Sequence, residues 1–385
     1  MGSELSLRYI SSVNSLSNIR SNTRLLKILK ILKETPWKKQ PFSKQNWGHS
    51  LHHMSPYVGK MKPAIAHVLI DLLSKPGDTV LDPFCGIGTV PLEADLMERK
   101  GVGIDLNPYA FTITRAKFER LPLEKQIDWL KNVSLDTDSV DISKISDFVK
   151  QFYNINTLKE MIALRDILIQ EKRFFLLGAL LGILHGHRPG HLSATTSLVI
   201  PFKPKTTPEY RAVIPRVIEK VKRLYKDDVP MNSKGRAIFA DSRNIPLNKN
   251  EVDVIITSPP YFDTLDYVQD NRLRLEFLGL NEYKRDELKH NLIQNRNTYI
   301  EDMIQVGYNL KRVLKPGGVC IFVLGDMNLS DKKTVNTARV VSKAYESLGF
   351  STFGITSDLM PINKAIPSVY KRRKLDRFLV MINNK

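Results

Sequence analysis

Cysteine is nearly absent: Cys85 and Cys320 are the only two in 385 residues. Two thiols so far apart build neither a disulfide framework nor a thiolate zinc site, and a reducing cytoplasm is the expected setting. Long apolar runs are missing as well. The longest, FFLLGALLGIL at 174–184, is too short to cross a bilayer. The N-terminus lacks the basic start, apolar run and small-residue site of a secretory signal. Internal repeats and low-complexity tracts are absent. The glycine loop at 82–89 lacks the Lys-Ser/Thr ending of a phosphate-binding loop, which argues against ATP.

What is present is an ordinary globular balance, 42% hydrophobic and 25% charged, with a formal net charge of +18. That charge is unevenly placed. Residues 1–50 hold nine Lys/Arg against two Asp/Glu, and residues 171–240 hold thirteen against five. Segregation of this kind fits a polyanionic partner such as nucleic acid, held through phosphate contacts and counterion release.

Along the chain, residues 1–54 read as a basic arm, with a helix from about Asn22 to Glu34 whose lysines recur every third position among leucines and isoleucines. KPAIAHVLIDLLSK has helical spacing and stops at PGD. TVLDPFCGIGT then reads as a buried strand breaking into a glycine loop, VPLEADLMERK as a helix, and GVGIDLNP as a second strand ending in an acid. Strand, glycine loop, helix, strand and acid make a nucleotide-binding βαβ unit. About 130 residues separate it from RAIFADSRNIP, a third strand followed by an acid. The intervening 116–235 read as a helical and basic insertion. From 236 to 385 the α/β pattern resumes with VDVIITSPPY, a helix near 297–314, the strand VCIFVLGD, a helix near 334–348, and two closing strands, STFGITSD and RFLVMI.

Gly86 and Gly88 allow backbone to approach a ligand at the carboxyl end of the first strand. Asp105 closes the second strand about twenty residues on, where a carboxylate can accept both hydroxyls of a ribose. Asp241 holds the equivalent place after the third, and Ser258-Pro259-Pro260-Tyr261 follows the fourth. The combination resembles the S-adenosylmethionine-dependent amino-methyltransferases of DNA, with a DPFxGxGT cofactor loop and an [DNS]PP[YFW] catalytic loop. The serine spelling resembles the branch that acts on the 4-amino group of cytosine. SPYVGKMKP (55–63) is similar to the family's upstream motif, which borders the methionine end of the cofactor.

The resemblance covers roughly 55–110 and 236–382. It implies a Rossmann-like methyltransferase sheet of seven strands, mostly parallel with the last antiparallel, carrying a helical insertion. It implies that Lys60, Asp82, Pro83, Phe84, Gly86, Gly88 and Thr89 line the cofactor site, that Asp105 takes the ribose hydroxyls, and that Asp241 lies near the adenine amino group. Its motif order places target recognition within 116–235. Double-stranded DNA is then the expected partner, with a cognate restriction endonuclease as a possible second. No metal is needed.

In that setting the prolines explain themselves. The amine of cytosine is a poor nucleophile because its lone pair is delocalised into the ring. Acceptors aimed at its hydrogens relieve that delocalisation as positive charge develops, and the Ser258 hydroxyl and the Pro259 carbonyl are such acceptors. Two prolines fix where the carbonyl points before substrate arrives. Tyr261 offers a face for a base turned out of the duplex. Cys85 lies in the cofactor loop and not in the setting of a cytosine ring-carbon methylase.

Weaker signals are His185, His187 and His191 in HGHRPGH, read as DNA-facing loop residues with Arg188 as a base or phosphate contact. Lys371, Arg372 and Arg373 in YKRRKLDR read as a phosphate contact or a solvated hairpin. Tyr267 and Arg272 fall on a helix after the catalytic loop, where they face the flipped base or the core. Adenine 6-amino and transfer-RNA guanosine amino methylation remain alternatives of the same chemistry. A degenerate methylase serving as a DNA-binding subunit is the non-enzymatic one.

Overall fold

The computed structural model describes residues 21–37, 39, 40, 42, 47–186, 190–194, 204, 206–260, 265–295, 297–330, 333–359 and 375–384. Five strands are parallel: β1 (Thr79–Asp82), β2 (Lys100–Asp105), β3 (Arg236–Phe239), β4 (Val252–Thr257) and β5 (Leu314–Gly325). After a hairpin, β6 (Met327–Ser330) and β7 (Lys333–Val335), come β8 (Phe350–Leu359) and β9 (Leu375–Asn383). The sheet order is β3-β2-β1-β4-β5-β9-β8, and β9 runs antiparallel to both its neighbours. This is the Rossmann-like sheet of the methyltransferases, with the expected reversed strand. The chain moves outward from β1 to β3 and returns to β4 beside β1. Strand order reverses there, and α/β folds open a crevice at the carboxyl ends of such strands.

The strands form where β-branched and apolar residues run on, and alternation sends them to two cores. Val80, Val254 and Ile256 face the helices Ser21–Glu34, Pro63–Leu73 and Thr89–Leu96. Leu81 and Ile255 face Tyr299–Val313 and Thr337–Glu346 on the other side. The segment read as an arm is docked over its described part: Leu25, Ile28 and Leu32 are buried, and Trp37 stacks on Phe378 with ring centroids 5.4 Å apart. Lys27, Lys30 and Lys33 stay exposed on the outer face of its helix. The leucine face is packed and the lysine stripe is left at the surface, as the spacing predicts.

The insertion builds a third core. Helix Phe174–Ile183, apolar on every side, is enclosed by Pro108–Ala116, Ile155–Gln170 and Val213–Leu224. A helix without a polar face is stable only when covered all round. Arg120 and Asp95 form a buried ion pair at 2.8 Å, and Asp95 also accepts the amides of Lys234 and Gly235, so the insertion's return is anchored beside β3. Among the described residues, no helix is long and apolar enough to cross a membrane.

Candidate active site

Two strand ends make the site. Asp82 ends β1, and its carboxylate accepts the Thr257 hydroxyl at 2.6 Å and the Phe84 amide at 3.1 Å. Thr257 ends β4, so one hydrogen bond joins the glycine loop to the proline corner. Asp105 ends β2 and accepts the Gly86 and Asn107 amides, both at 2.8 Å. Burial pushes the Asp82 and Asp105 carboxyls up to about 7 against the pull of these donors. Gly86 and Gly88 have φ of +51° and +72°. A Cβ on Gly88 would stand 2.7 Å from the Thr114 side chain, and one on Gly86 3.2 Å from the Tyr57 ring. Glycine is required at Gly88 by conformation and by space.

The resulting cleft has an empty volume of about 780 Å³, open mouth included, within the usual range of small-molecule sites. Of the residues expected from sequence, Lys60, Asp82, Pro83, Phe84, Gly86, Thr89, Asp105, Asp241, Ser258 and Pro260 line it. Gly88 stands behind the loop as the first cap of helix Thr89–Leu96, and Pro259 is buried and does not line the cleft. The Ser258 hydroxyl donates its one proton to the Val323 carbonyl at 3.1 Å, leaving its lone pairs free to accept. Lys60 donates to the His52 carbonyl at 3.1 Å, and burial lowers its ammonium to about 8. The Asp241 carboxylate is already gripped by Arg243, with Nη2 to Oδ2 at 2.6 Å.

Tyr261, Arg188, His187, Lys371, Arg372 and Arg373 lie outside the described residues. His185 is corrected: it is fully buried, bonds the Ser193 hydroxyl at 3.0 Å and meets the Phe152 ring edge-on. It is a core residue of the insertion, because the apolar helix before it carries the chain inward. Arg272 takes the packed one of its two alternatives. Its guanidinium bonds Glu276 at 2.6 Å and sits 3.8 Å over the Phe148 ring, facing the insertion. Tyr267 does line the cleft, and its ring stacks on Tyr57 at 6.0 Å.

Several supporting residues had no sequence signal of their own. Glu93 accepts His52 Nε2 at 2.6 Å and His67 Nδ1 at 2.7 Å beneath the glycine loop. Burial lowers His52 to about 4 and the two partners lower Glu93 to about 2, so at neutral pH a carboxylate accepts from a neutral His52. Asn291, Leu292 and Ile293 form a wall near Asp241. Cys85 is buried, which pushes its thiol well up and makes it no nucleophile.

The donor set suits one kind of ligand. Carboxylates at three strand ends can meet hydroxyls, an amine and a cation, Lys60 can meet a carboxylate, and Met61, Leu106, Leu292 and Ile293 offer apolar surface to a flat ring. Fold and cleft together suit a binding site for S-adenosylmethionine. The chain belongs to the DNA methylase family of N6/N4 methyltransferases, whose sequence pattern matches residues 14–116 and 252–367, more than half of the chain.

Curated relatives include the type II methyltransferase M.MjaII of Methanocaldococcus jannaschii, 30% identical over 129 residues, which are 33% of this chain and 22% of that protein. M.BsoBI of Geobacillus stearothermophilus is 26% identical over 292 residues, 63% of this chain and 56% of that protein. The tRNA (guanine(10)-N2)-dimethyltransferase of Methanothermobacter thermautotrophicus is 40% identical over 68 residues, 17% of this chain and 20% of that one. The chain thus spans between about a fifth and a little over half of the length of these relatives. Among solved structures, TrmN from Thermus thermophilus shares 13% identity at a TM-score of 0.36, covering 89% of this chain and 54% of that one. A methyltransferase from Methanosarcina mazei shares 10% at 0.36, covering 82% and 97%.

Proposed function

We propose that the protein transfers a methyl group from S-adenosylmethionine to the exocyclic 4-amino group of cytosine in double-stranded DNA, the target base being turned out of the helix. The observation that supports this most is the Thr257–Asp82 hydrogen bond, which sets Ser258 and Pro260 on the same cleft as Gly86 and Asp105. When bound, S-adenosylmethionine supplies an electrophilic methyl group on a sulfonium. Asp105 accepts from its ribose, Lys60 pairs its carboxylate, and Asp241 with Ser242 borders its adenine. The remaining chemistry is that of the amine. With its own proton committed to Val323, the Ser258 hydroxyl accepts one amine hydrogen, and the Pro259 carbonyl, which lies behind the residues lining the cleft, has to turn toward it to accept the other. Both bonds favour a localised nitrogen lone pair and grow stronger as nitrogen becomes positive. Tyr261 would offer its ring to the base, and the stacked pair Tyr57 and Tyr267 lines the same cleft as Ser258.

Serine in the first position of the loop favours cytosine over adenine in this reading. Residues 116–235 would serve target recognition, with Arg188 and the run Lys371, Arg372 and Arg373 contacting DNA, and a restriction–modification setting would supply a partner endonuclease. A second reading, methylation of a guanosine amino group in transfer RNA, is favoured by the 40% identity over 68 residues to the archaeal guanine-N2 enzyme. Incubation with labelled cofactor and either duplex DNA or transfer RNA, followed by nucleoside analysis, separates the two. Label in N4-methylcytosine of DNA supports the first, and label in N2-methylguanosine of transfer RNA supports the second.

A further inference from the structure

The two halves of the cleft share a support that lines neither. Tyr299, buried at 1% exposure, begins the helix Tyr299–Val313, and its hydroxyl donates to the Pro260 carbonyl at 3.2 Å. One turn on, Asp302 accepts Arg243 Nη1 at 2.7 Å and the Thr298 hydroxyl at 2.8 Å. Arg243 uses its remaining donors on the wall of the cofactor end. Nη2 reaches Asp241 at 2.6 Å and the Asn291 carbonyl at 2.7 Å, and Nε meets both Asp241 oxygens at 3.1 Å. Asn291 ends the helix Glu282–Asn291, where carbonyls lack intrahelical partners and a cation is favoured. Asp241, Asn291 and Pro260 all face the cleft, whereas Tyr299, Asp302 and Arg243 stand behind them.

We propose that this single helical turn positions both subsites: Tyr299 orients the proline corner that presents the amine acceptors, and Arg243, held by Asp302, sets the wall against the adenine end of the cofactor. The inference rests on the function proposed above. None of the three touches substrate, and each is a positioning residue. The separate attachments, Tyr299 to the corner and Arg243 to the wall, predict separate defects. A guanidinium fork satisfies two carboxylates and a carbonyl at once, which the point charge of lysine cannot do.

Tyr299→Phe and Arg243→Lys in the full chain test this, with cofactor affinity read by calorimetry, thermal midpoint by scanning, and turnover on duplex DNA at saturating cofactor. Tyr299→Phe should lower kcat at least tenfold and leave cofactor Kd within twofold. Arg243→Lys should raise cofactor Kd at least tenfold and leave kcat at saturation within twofold. Should Arg243→Lys not fold, the near-isosteric Asp302→Asn carries the same expectation at about threefold. Parallel loss of midpoint, affinity and turnover in both variants, or no change in either, overturns the proposal. Absence of methyl transfer by the parent protein would instead count against the proposed function, and the Kd measured for Arg243→Lys would still decide the wall's role.

Discussion

The Thr257 hydroxyl and the Asp82 carboxylate lie 2.6 Å apart at the ends of two neighbouring parallel strands, buried from solvent. The β1–β4 pairing brings the glycine loop and the proline corner to one edge of the sheet, and this bond fixes their register at the cleft. Thr257→Val keeps the shape and removes the donor. Loss of a partner from a buried acid costs about 1–3 kcal/mol. Denaturant unfolding should show a loss of that size, and calorimetry a weaker affinity for the cofactor; an unchanged unfolding midpoint would remove the bond's structural role.

Asp105 gives a pH signature. Its folded carboxyl is raised to about 7, above its unfolded value near 4, so its contribution to stability is full below about pH 4 and is lost as pH rises through 7. His52, lowered to about 4, acts in the opposite sense over the same range, and the comparison must therefore be made against a variant. Asp105→Asn should flatten the stability–pH slope of the cofactor-free protein between about pH 4 and 7. If ribose hydroxyls bond the ionised acid, parent cofactor affinity should fall as pH drops below 7, approaching tenfold per unit, and the Asn variant should show weak binding without this dependence. Equal slopes in parent and variant would contradict the assignment.

Gly88→Ala tests the loop. At φ +72° with Thr114 2.7 Å from the new Cβ, the substitution meets both backbone strain and a clash. A cost of about 1–3 kcal/mol is expected, with cofactor binding weakened more than tenfold. Gly88→Ala/Thr114→Ser, which removes the methyl group at the contact, should recover part of the loss. Parent-like affinity in the single variant would show that the loop does not need this conformation.

The exposed lysines of helix Ser21–Glu34 give a test of the nucleic-acid side. Replacing Lys27, Lys30 and Lys33 with glutamine leaves the buried Leu25, Ile28 and Leu32 in place, so the fold should survive. If all three meet phosphates, the slope of log affinity against log salt should become shallower by about 2.7. A slope identical to that of the parent would exclude the stripe from the interface.

Much of this architecture was legible in the sequence. Strand ends followed by Gly86, Asp105, Asp241 and Ser258 could be placed because each is a short-range event: an apolar run, then a residue that breaks or caps it. The number of strands and the reversed last one were expectations of the family resemblance, whereas their order and register came from the structure. What could not be read was long-range. Leu25, Ile28 and Leu32 could be read as a face able to pack, but periodicity reveals an apolar face without naming its partner, here the β8–β9 edge of the sheet. His185 and Arg272 carried polar side chains that suggested a ligand, while burial by the insertion decided their roles. Arg243 sits two residues from a predicted site acid, yet its partners Asn291 and Asp302 are 48 and 59 positions away.

The central claim is that the amine of a nucleobase is methylated at the corner formed by Ser258, Pro259 and Pro260. Nucleoside mass spectrometry of duplex DNA treated with the protein and methyl-labelled S-adenosylmethionine tests it most directly. The account predicts labelled N4-methylcytosine, lost when Ser258 and Pro260 are both changed to alanine. Label confined to transfer RNA or to a ring carbon, or the same product from the altered corner, would contradict it.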